Sequence, residues 1–135
     1  MASLVSLELD EEGKENLQGL QQEIGKAEVE LQQTQHKLRV RNAEAKHAAL
    51  TLAELEVVPD EVKSYEQVGK MFILKPLPEL KAALTASVES ASKDVASLTE
   101  KKNHQEEAYK KVRDDFQEFV KAHTVEAKEG DDKKE

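Results

Sequence analysis

Two uninterrupted heptad runs dominate the chain and restrict it to helices that pair along a narrow apolar seam. In each run nine of eleven seam positions are apolar or aromatic, and no proline interrupts either run. Sustained heptads predict coiled-coil helices rather than the wider apolar stripe of a globular helix. The seam positions of the first run are Leu17, Leu20, Ile24, Ala27, Leu31, Thr34, Leu38, Arg41, Ala45, Ala48 and Leu52. Those of the second run are Leu84, Val88, Ala91, Val95, Leu98, Lys102, Gln105, Tyr109, Val112, Phe116 and Phe119.

The two runs mirror each other, so the chain can fold back on itself. If Leu17 is paired with Phe119, the remaining seam positions pair in order as far as Leu52 with Leu84, and the two residue numbers have the same sum in every pair. Each of these layers also places an a position opposite a d position, as an antiparallel pair requires. We therefore predict a mainly α fold, a long antiparallel two-helix coiled coil with helices of about 55–65 Å. An intermolecular parallel dimer is the alternative if the connector is not a tight reversal.

Three of the predicted layers contain a polar residue, and they lie close together along the seam. These layers pair Leu31 with Gln105, Thr34 with Lys102 and Arg41 with Val95. Polar residues in a seam cost stability and are best known as devices that fix register. We expect this section of the coiled coil to be the softest.

Composition excludes several classes of protein. Of the 135 residues 38% are hydrophobic and 36% charged, which is typical of long helices rather than of a thick core. The net charge of −8 argues against nucleic-acid binding, and the absence of cysteine excludes disulfides and thiol chemistry. The first residues lack the basic segment with which a secretory signal begins. No apolar run approaches the roughly 20 residues of a membrane helix. We expect a cytoplasmic protein with no membrane partner.

The connector between the runs predicts one β-hairpin. Thr51 is expected to cap a short new helix that Pro59 stops. Two strands near 63–67 and 71–75 should reverse around Val68-Gly69, after which Pro76 and Pro78 end the second strand and Glu79 begins the returning helix. The predicted division is a domain over 1–124, with a helix over 11–56, a hairpin over 62–76 and a helix over 79–124, followed by a charged, disordered tail over 125–135.

The hairpin carries apolar residues that its own coiled coil cannot cover. Met71, Phe72, Ile73 and Leu74 follow one another, so both faces of the second strand are apolar. An isolated two-stranded hairpin is marginal in water, which favours cover by other subunits through edge pairing and sheet closure. The alternative is a satellite core against the subunit's own helix ends.

The hairpin segment 65–74, Tyr-Glu-Gln-Val-Gly-Lys-Met-Phe-Ile-Leu, resembles the signature of β-type prefoldin subunits. The preceding segment 47–55, His-Ala-Ala-Leu-Thr-Leu-Ala-Glu-Leu, is similar to a helix end in the eukaryotic subunit-one branch of that family. Pro59 departs from that branch and resembles other β-type members. The helix–hairpin–helix order matches over about residues 15–120.

This resemblance implies a hetero-hexamer of two α-type and four β-type subunits, joined through an oligomeric β-barrel to which each hairpin contributes. It also implies ATP-independent capture of unfolded or nascent proteins, actin and tubulin among them, and their transfer to the cytosolic group II chaperonin. No cofactor is expected. The residues expected to form the oligomerisation hairpin are Tyr65, Val68, Gly69, Met71, Phe72, Ile73 and Leu74.

Antiparallel folding brings both termini to the same free tip, where the negative charge is concentrated. Residues 1–23 carry a net charge of −5 and residues 114–135 of −4, whereas 24–113 carry +1. Exposed apolar residues surrounded by acidic ones suit weak binding of an unfolded client, because the apolar side chains contact the client and the charge keeps the arms soluble. For residues 1–9 a frayed, solvated tail is an equal alternative. The expected client-binding residues are Leu4, Val5, Leu7, Leu9, Leu17, Leu20, Phe116, Phe119 and Val120.

No residue pattern predicts catalysis or metal binding. His36 and His47 share a helix face but lie ~16 Å apart along it, too far to share an ion. Glu100 and His104 are four apart, a spacing that on a charged helix is usually that of solvated neighbours. The alternative functions are a structural coiled-coil adaptor without affinity for unfolded proteins, and a factor that inserts a hairpin tip into a larger machine. The second of these expects acids at the connector, where this chain has apolar residues.

Overall fold

The chain contains two long helices and four short strands. A computed structural model describes residues 6–7 and 9–125, with side chains from Leu9 to His123. The elements in order are β1 (Ser6–Leu7), α1 (Glu11–Glu56), β2 (Ser64–Val68), β3 (Met71–Lys75), α2 (Leu77–His123) and β4 (Thr124–Val125). β2 pairs with β3 and β1 with β4, both antiparallel. The predicted mainly α class, with two long helices joined by a β-hairpin, is confirmed.

The chain divides into two compact units, each of which contains part of both helices. The hairpin unit is Gln33–Lys102 and includes β2 and β3. The terminal unit is Met1–Gln32 together with Asn103–Glu135 and includes β1 and β4. Within each unit every predicted seam position is buried or half-buried, so the heptad pattern located the buried face of both helices.

The deepest seam positions of the hairpin unit hold small side chains. Ala48, Ala91 and Thr34 are buried, whereas the larger seam residues of the same unit are half-buried. A seam between two helices is covered from one side only, so a large side chain keeps part of its surface in water. The core of the unit is therefore a narrow line of contact rather than a closed interior.

A side-chain cap begins α1. The Asp10 carboxylate accepts a hydrogen bond from the Gly13 amide at 2.7 Å, and the Asp10 carbonyl accepts one from the Lys14 amide at 3.0 Å. These bonds satisfy amides that the first helical turn would otherwise leave unpaired. Glu11 and Glu12 follow in the first turn, where negative charge interacts favourably with the helix dipole.

α1 is continuous to Glu56, so Thr51 does not cap the short new helix expected after it. The Thr51 hydroxyl donates to the His47 carbonyl at 2.9 Å, four residues earlier. A hydroxyl bonded in this way satisfies its donor within the helix and does not cap a new one. The helix ends three residues before Pro59, which was expected to stop it.

The returning helix α2 begins at Leu77, two residues earlier than predicted. The Pro76 carbonyl accepts hydrogen bonds from the Glu79 and Leu80 amides at 3.1 and 3.2 Å, and Leu77 is 1% exposed. Pro78 is tolerated in the first turn because its missing donor would have no partner there. Pro78 therefore belongs to the helix and does not end the preceding strand.

The hairpin has a two-residue turn, Gly69-Lys70, one residue later than the predicted Val68-Gly69. β2 covers Ser64–Val68, one residue later than predicted, and the ladder runs from Ser64 opposite Lys75 to Val68 opposite Met71. Gly69 has φ of 64°, and no other residue in the described part of the chain has a positive φ. A glycine at the first turn position followed by a residue with negative φ is characteristic of a type II′ turn, whose twist matches that of the strands.

Candidate functional site

The hairpin presents two different faces, which follow from its register. One face carries Ser64, Glu66, Val68, Met71, Ile73 and Lys75, and the other carries Tyr65, Gln67, Phe72 and Leu74. Gln67 is the polar member of the second face, so Tyr65, Phe72 and Leu74 form most of its surface. The first face mixes three apolar side chains with an ion pair.

The chain leaves the apolar side chains of the hairpin open. Tyr65, Val68, Met71, Phe72, Ile73 and Leu74 are between 44% and 68% exposed, with Ile73 the least and Phe72 the most. The alternative of a satellite core against the subunit's own helices is therefore wrong. A contiguous exposed apolar surface of this kind usually marks an interaction site.

Polar groups around this surface are paired with one another. Lys75 Nζ lies 2.5 Å from Glu66 Oε2, and this hydrogen bond, together with the charge of Glu66, raises the pKa of Lys75. The Ser64 hydroxyl donates to the Lys75 carbonyl at 2.5 Å, and Gln67 Nε2 donates to the Gly69 carbonyl at 3.1 Å. Each of these groups keeps one partner within the chain when another protein covers the hairpin, which lowers the cost of covering it.

The residues predicted to bind clients are partly covered within the terminal unit. Leu4 and Val5 lie outside the described residues, and Leu7 is described only as backbone in β1. The remaining six are half-buried: Leu9, Leu17, Leu20, Phe116, Phe119 and Val120. Four of them occupy seam positions, as the heptads predicted, so their apolar surface is shared between helix pairing and solvent.

Sequence reasoning missed the ladder between β1 and β4. Ser6 pairs with Val125 and Leu7 with Thr124, so the segments that flank the two helices are joined. Val125 is thus part of a strand, and residues 126–135 of the predicted tail lie outside the described residues. Strands of two residues give no usable alternation, which is why no signal in the sequence could have identified them.

Two aromatic rings stack in the last turn of α2, within the terminal unit. The rings of Phe119 and His123 stack with centroids 4.3 Å apart and an angle of 27° between their planes. His123 Nδ1 lies 2.9 Å from the Phe119 carbonyl, one of the last carbonyls of the helix. This stacking covers part of a predicted client-binding residue with a residue that the sequence did not single out.

Within residues 9–125 no cluster of three or more His, Cys, Asp or Glu residues could hold a metal ion. No helix in the described part of the chain is long and apolar enough to cross a membrane.

Comparison with known proteins identifies the class of chaperone to which this architecture belongs. The family model described as "Prefoldin subunit" matches residues 11–123, and the chain belongs to this family. Its members are chaperone components rather than enzymes, and membership implies assembly with other prefoldin subunits.

Several relatives are named prefoldin subunit 1. That of Tetraodon nigroviridis is 34% identical over 76% of this chain and 93% of its own length. That of Homo sapiens is 30% identical over 90% of this chain and 97% of its own length. The crystal structure of the prefoldin beta subunit from Thermococcus strain KS-1 has the same fold, with a TM-score of 0.69 over 78% of this chain and 92% of that one, at 19% identity. The resemblance predicted from the hairpin is confirmed.

Proposed function

We propose that the chain is one β-type arm of a hetero-hexameric prefoldin, which it forms with two α-type and three further β-type subunits. The hexamer captures unfolded or nascent proteins, including actin and tubulin, without ATP or any other cofactor. It works in the cytoplasm and transfers its clients to the cytosolic group II chaperonin. In this complex the hairpin joins the subunits and the terminal unit holds the client.

The exposure of the hairpin is the observation that carries this proposal. Met71, Phe72, Ile73 and Leu74 are all exposed although β3 is paired with β2 along its whole length. Burying a large apolar side chain contributes about 1.5–3 kcal/mol, so covering these residues by sister subunits provides a strong drive to assemble. The free edges of β2 and β3 can extend a sheet across subunits in the same step.

The terminal unit supports the capture step through its charge and its partly open seam. Acids outnumber bases near both ends of the chain, which keeps such arms soluble and apart. Half-buried Phe116 and Phe119 offer apolar contact when the helix ends separate, so a client competes with the seam for the same side chains. Competition of this kind gives weak, reversible holding, which a transfer chaperone requires.

Assembly can be tested by co-expressing the chain with its sister subunits and measuring the mass of the purified complex. We expect replacement of Phe72 and Ile73 by Asp to abolish the hexamer, because two charges would then be buried at the subunit contact. The matched control is Lys70→Asp, which places the same charge in the exposed turn and should leave assembly intact. A hexamer that forms normally with the Phe72 and Ile73 variant would refute the assembly role.

Capture can be tested separately with the assembled complex and chemically denatured actin. Removing residues 1–9 keeps the Asp10 cap, and we expect it to weaken the suppression of aggregation severalfold while the hexamer still forms. Removing 126–135 is the control, since it retains β4 and should have a smaller effect. If neither the intact nor the truncated complex suppresses aggregation, the chain is a structural adaptor and the capture role fails.

A further inference from the structure

We infer that the subunit contact extends beyond the hairpin onto the outer face of the end of α1 and onto the loop that follows it, where a neighbouring prefoldin subunit covers them. We call this surface the shoulder. It consists of Ala49, Leu50, Ala53, Val57 and Val62. The inference deepens the proposed assembly role and rests on it.

The shoulder faces away from the chain's own second helix. Ala48, Leu52 and Leu55 are among the buried or half-buried positions of this stretch. Leu50 lies two residues from Ala48 and therefore about 200° around the helix, on the opposite side from the seam. Val57 is the first residue after α1, which ends at Glu56, and its exposed side chain continues the shoulder into the loop. No rearrangement of side chains within the seam could bring Leu50 under cover.

The exposure of the shoulder is unusual for this chain. Leu50 is 69% exposed, Val57 83% and Val62 50%. In the part of the chain whose side chains are described, the exposed large apolar residues outside the hairpin and the shoulder are Val29 and Val40, which lie singly on α1. Single exposed apolar residues are ordinary, whereas these three fall within the short stretch of chain that leads into the open hairpin, which favours an interaction surface.

The loop that carries the shoulder is held in place although its valines are exposed. The Val58 amide donates to the Leu55 carbonyl and the Val62 amide to the Pro59 carbonyl, each at 3.1 Å. Asp60 Oδ1 lies 3.1 Å from Lys81 Nζ, which ties the loop to α2. Ordering a loop costs conformational entropy, and a surface ordered before contact loses less on binding. The polar contacts of the loop thus preorganise an apolar surface for a partner.

Interface size favours a sister subunit as that partner. The hairpin, Ser64–Lys75, contains twelve residues, whereas a stable specific interface takes about 20–30 residues from each side. The hairpin alone therefore falls short. The shoulder leads through Val62 directly into β2, so a neighbour that pairs with the hairpin also lies next to the shoulder. Continuity with the hairpin assigns the shoulder to the same neighbour.

The test uses the full chain assembled with its sister subunits. Replacing Leu50 and Val57 by Lys should raise the concentration at which the complex dissociates at least about tenfold, followed by native mass spectrometry during dilution. The matched control replaces Val29 and Val40 by Lys, which removes two exposed apolar side chains elsewhere on α1, and should change dissociation less than about twofold. Equal effects of the two double variants would overturn the inference.

A photo-crosslinking amino acid at position 57 gives a second measurement that does not depend on stability. A crosslink to a sister subunit in the purified complex supports the shoulder contact. A crosslink only to an added client or chaperonin, or none to any subunit, refutes it. If the shoulder variant assembles normally while the variant of Phe72 and Ile73 does not, the shoulder fails and the proposed function stands. If the hairpin variant also assembles normally, the assembly role itself fails.

Discussion

Arg41 of α1 binds Asp94 of α2 through two of its nitrogens. Nε donates to Asp94 Oδ2 at 2.9 Å and Nη2 donates to the same oxygen, while Nη1 donates to Glu44 on its own helix at 2.5 Å. The hydrogen bond to Asp94, followed by that to Glu44, raises the pKa of Arg41. Arg41 occupies a predicted seam position opposite Val95, so its stem lies along the seam while its charge reaches the neighbouring acid.

We expect Asp94→Ala to lower the free energy of unfolding only slightly, because both members of the pair are partly exposed and water screens their attraction. Thermal and urea unfolding of the variant measure this loss. In an Arg41→Leu background the same change should cost less, since its partner is gone and the seam position has become apolar. An undiminished cost in that background would show that Asp94 acts through something other than Arg41.

Three glycines of α1 should respond differently to alanine. A Cβ at Gly13 would lie 2.9 Å from Asp10 Oδ1 and 3.0 Å from Leu9 Cδ2, whereas Gly19 and Gly25 have nothing within 4 Å. Gly19→Ala and Gly25→Ala should each stabilise the helix by about 0.5–1 kcal/mol. Gly13→Ala should lose most of that gain or destabilise, because the new methyl displaces the capping carboxylate. Urea unfolding of the three variants decides this, and a stabilisation by Gly13→Ala equal to the others would contradict the packing argument.

Gln105 is a weak point of the seam in the terminal unit. Its Oε1 is buried and, in the described structure, accepts no hydrogen bond. Gln105→Leu should therefore raise the free energy of unfolding by about 1–3 kcal/mol, since an unsatisfied buried acceptor is replaced by an apolar group of similar size. Gln32→Leu, at an exposed position of the same unit, is the control and should change stability by less than about 0.5 kcal/mol. Similar unfolding midpoints for both variants would rule out the cost assigned to Oε1.

Gly69 should be sensitive to substitution although its surroundings are open. Its φ of 64° lies in the left-handed region, while a Cβ there would meet nothing within 4 Å. Gly69→Ala should destabilise the hairpin by about 1–2 kcal/mol through backbone strain alone, and Gly69→Asn by less, because asparagine tolerates this region better. Hydrogen exchange of the Val68 and Met71 amides reports the loss. Unchanged protection in the alanine variant would show that the turn adopts another conformation.

The positions that can be predicted from sequence are those fixed by a repeating pattern. Spacing alone assigns Ile24, Leu38 and Val112 to the seam, and each of the three is half-buried. The hairpin follows from the strand-forming residues around Gly69, with an error of one residue in β2. Thr51 and the proline at 78 are harder to predict because each residue type has two uses, and the hydrogen bonds of the folded backbone decide between them.

Periodicity and turn chemistry are local properties of the chain, so the sequence is enough to define the helices, their buried faces and the reversal between them. The concentration of acids near both termini can be read from it as well. Which apolar residues remain open is a different matter, since exposure depends on what the rest of the folded chain covers. For Phe72 the sequence left two outcomes open, cover by other subunits and a satellite core against the helix ends, and for Val57 it gave no indication. The fold leaves both uncovered, and for that reason we assign the hairpin and the shoulder to partners.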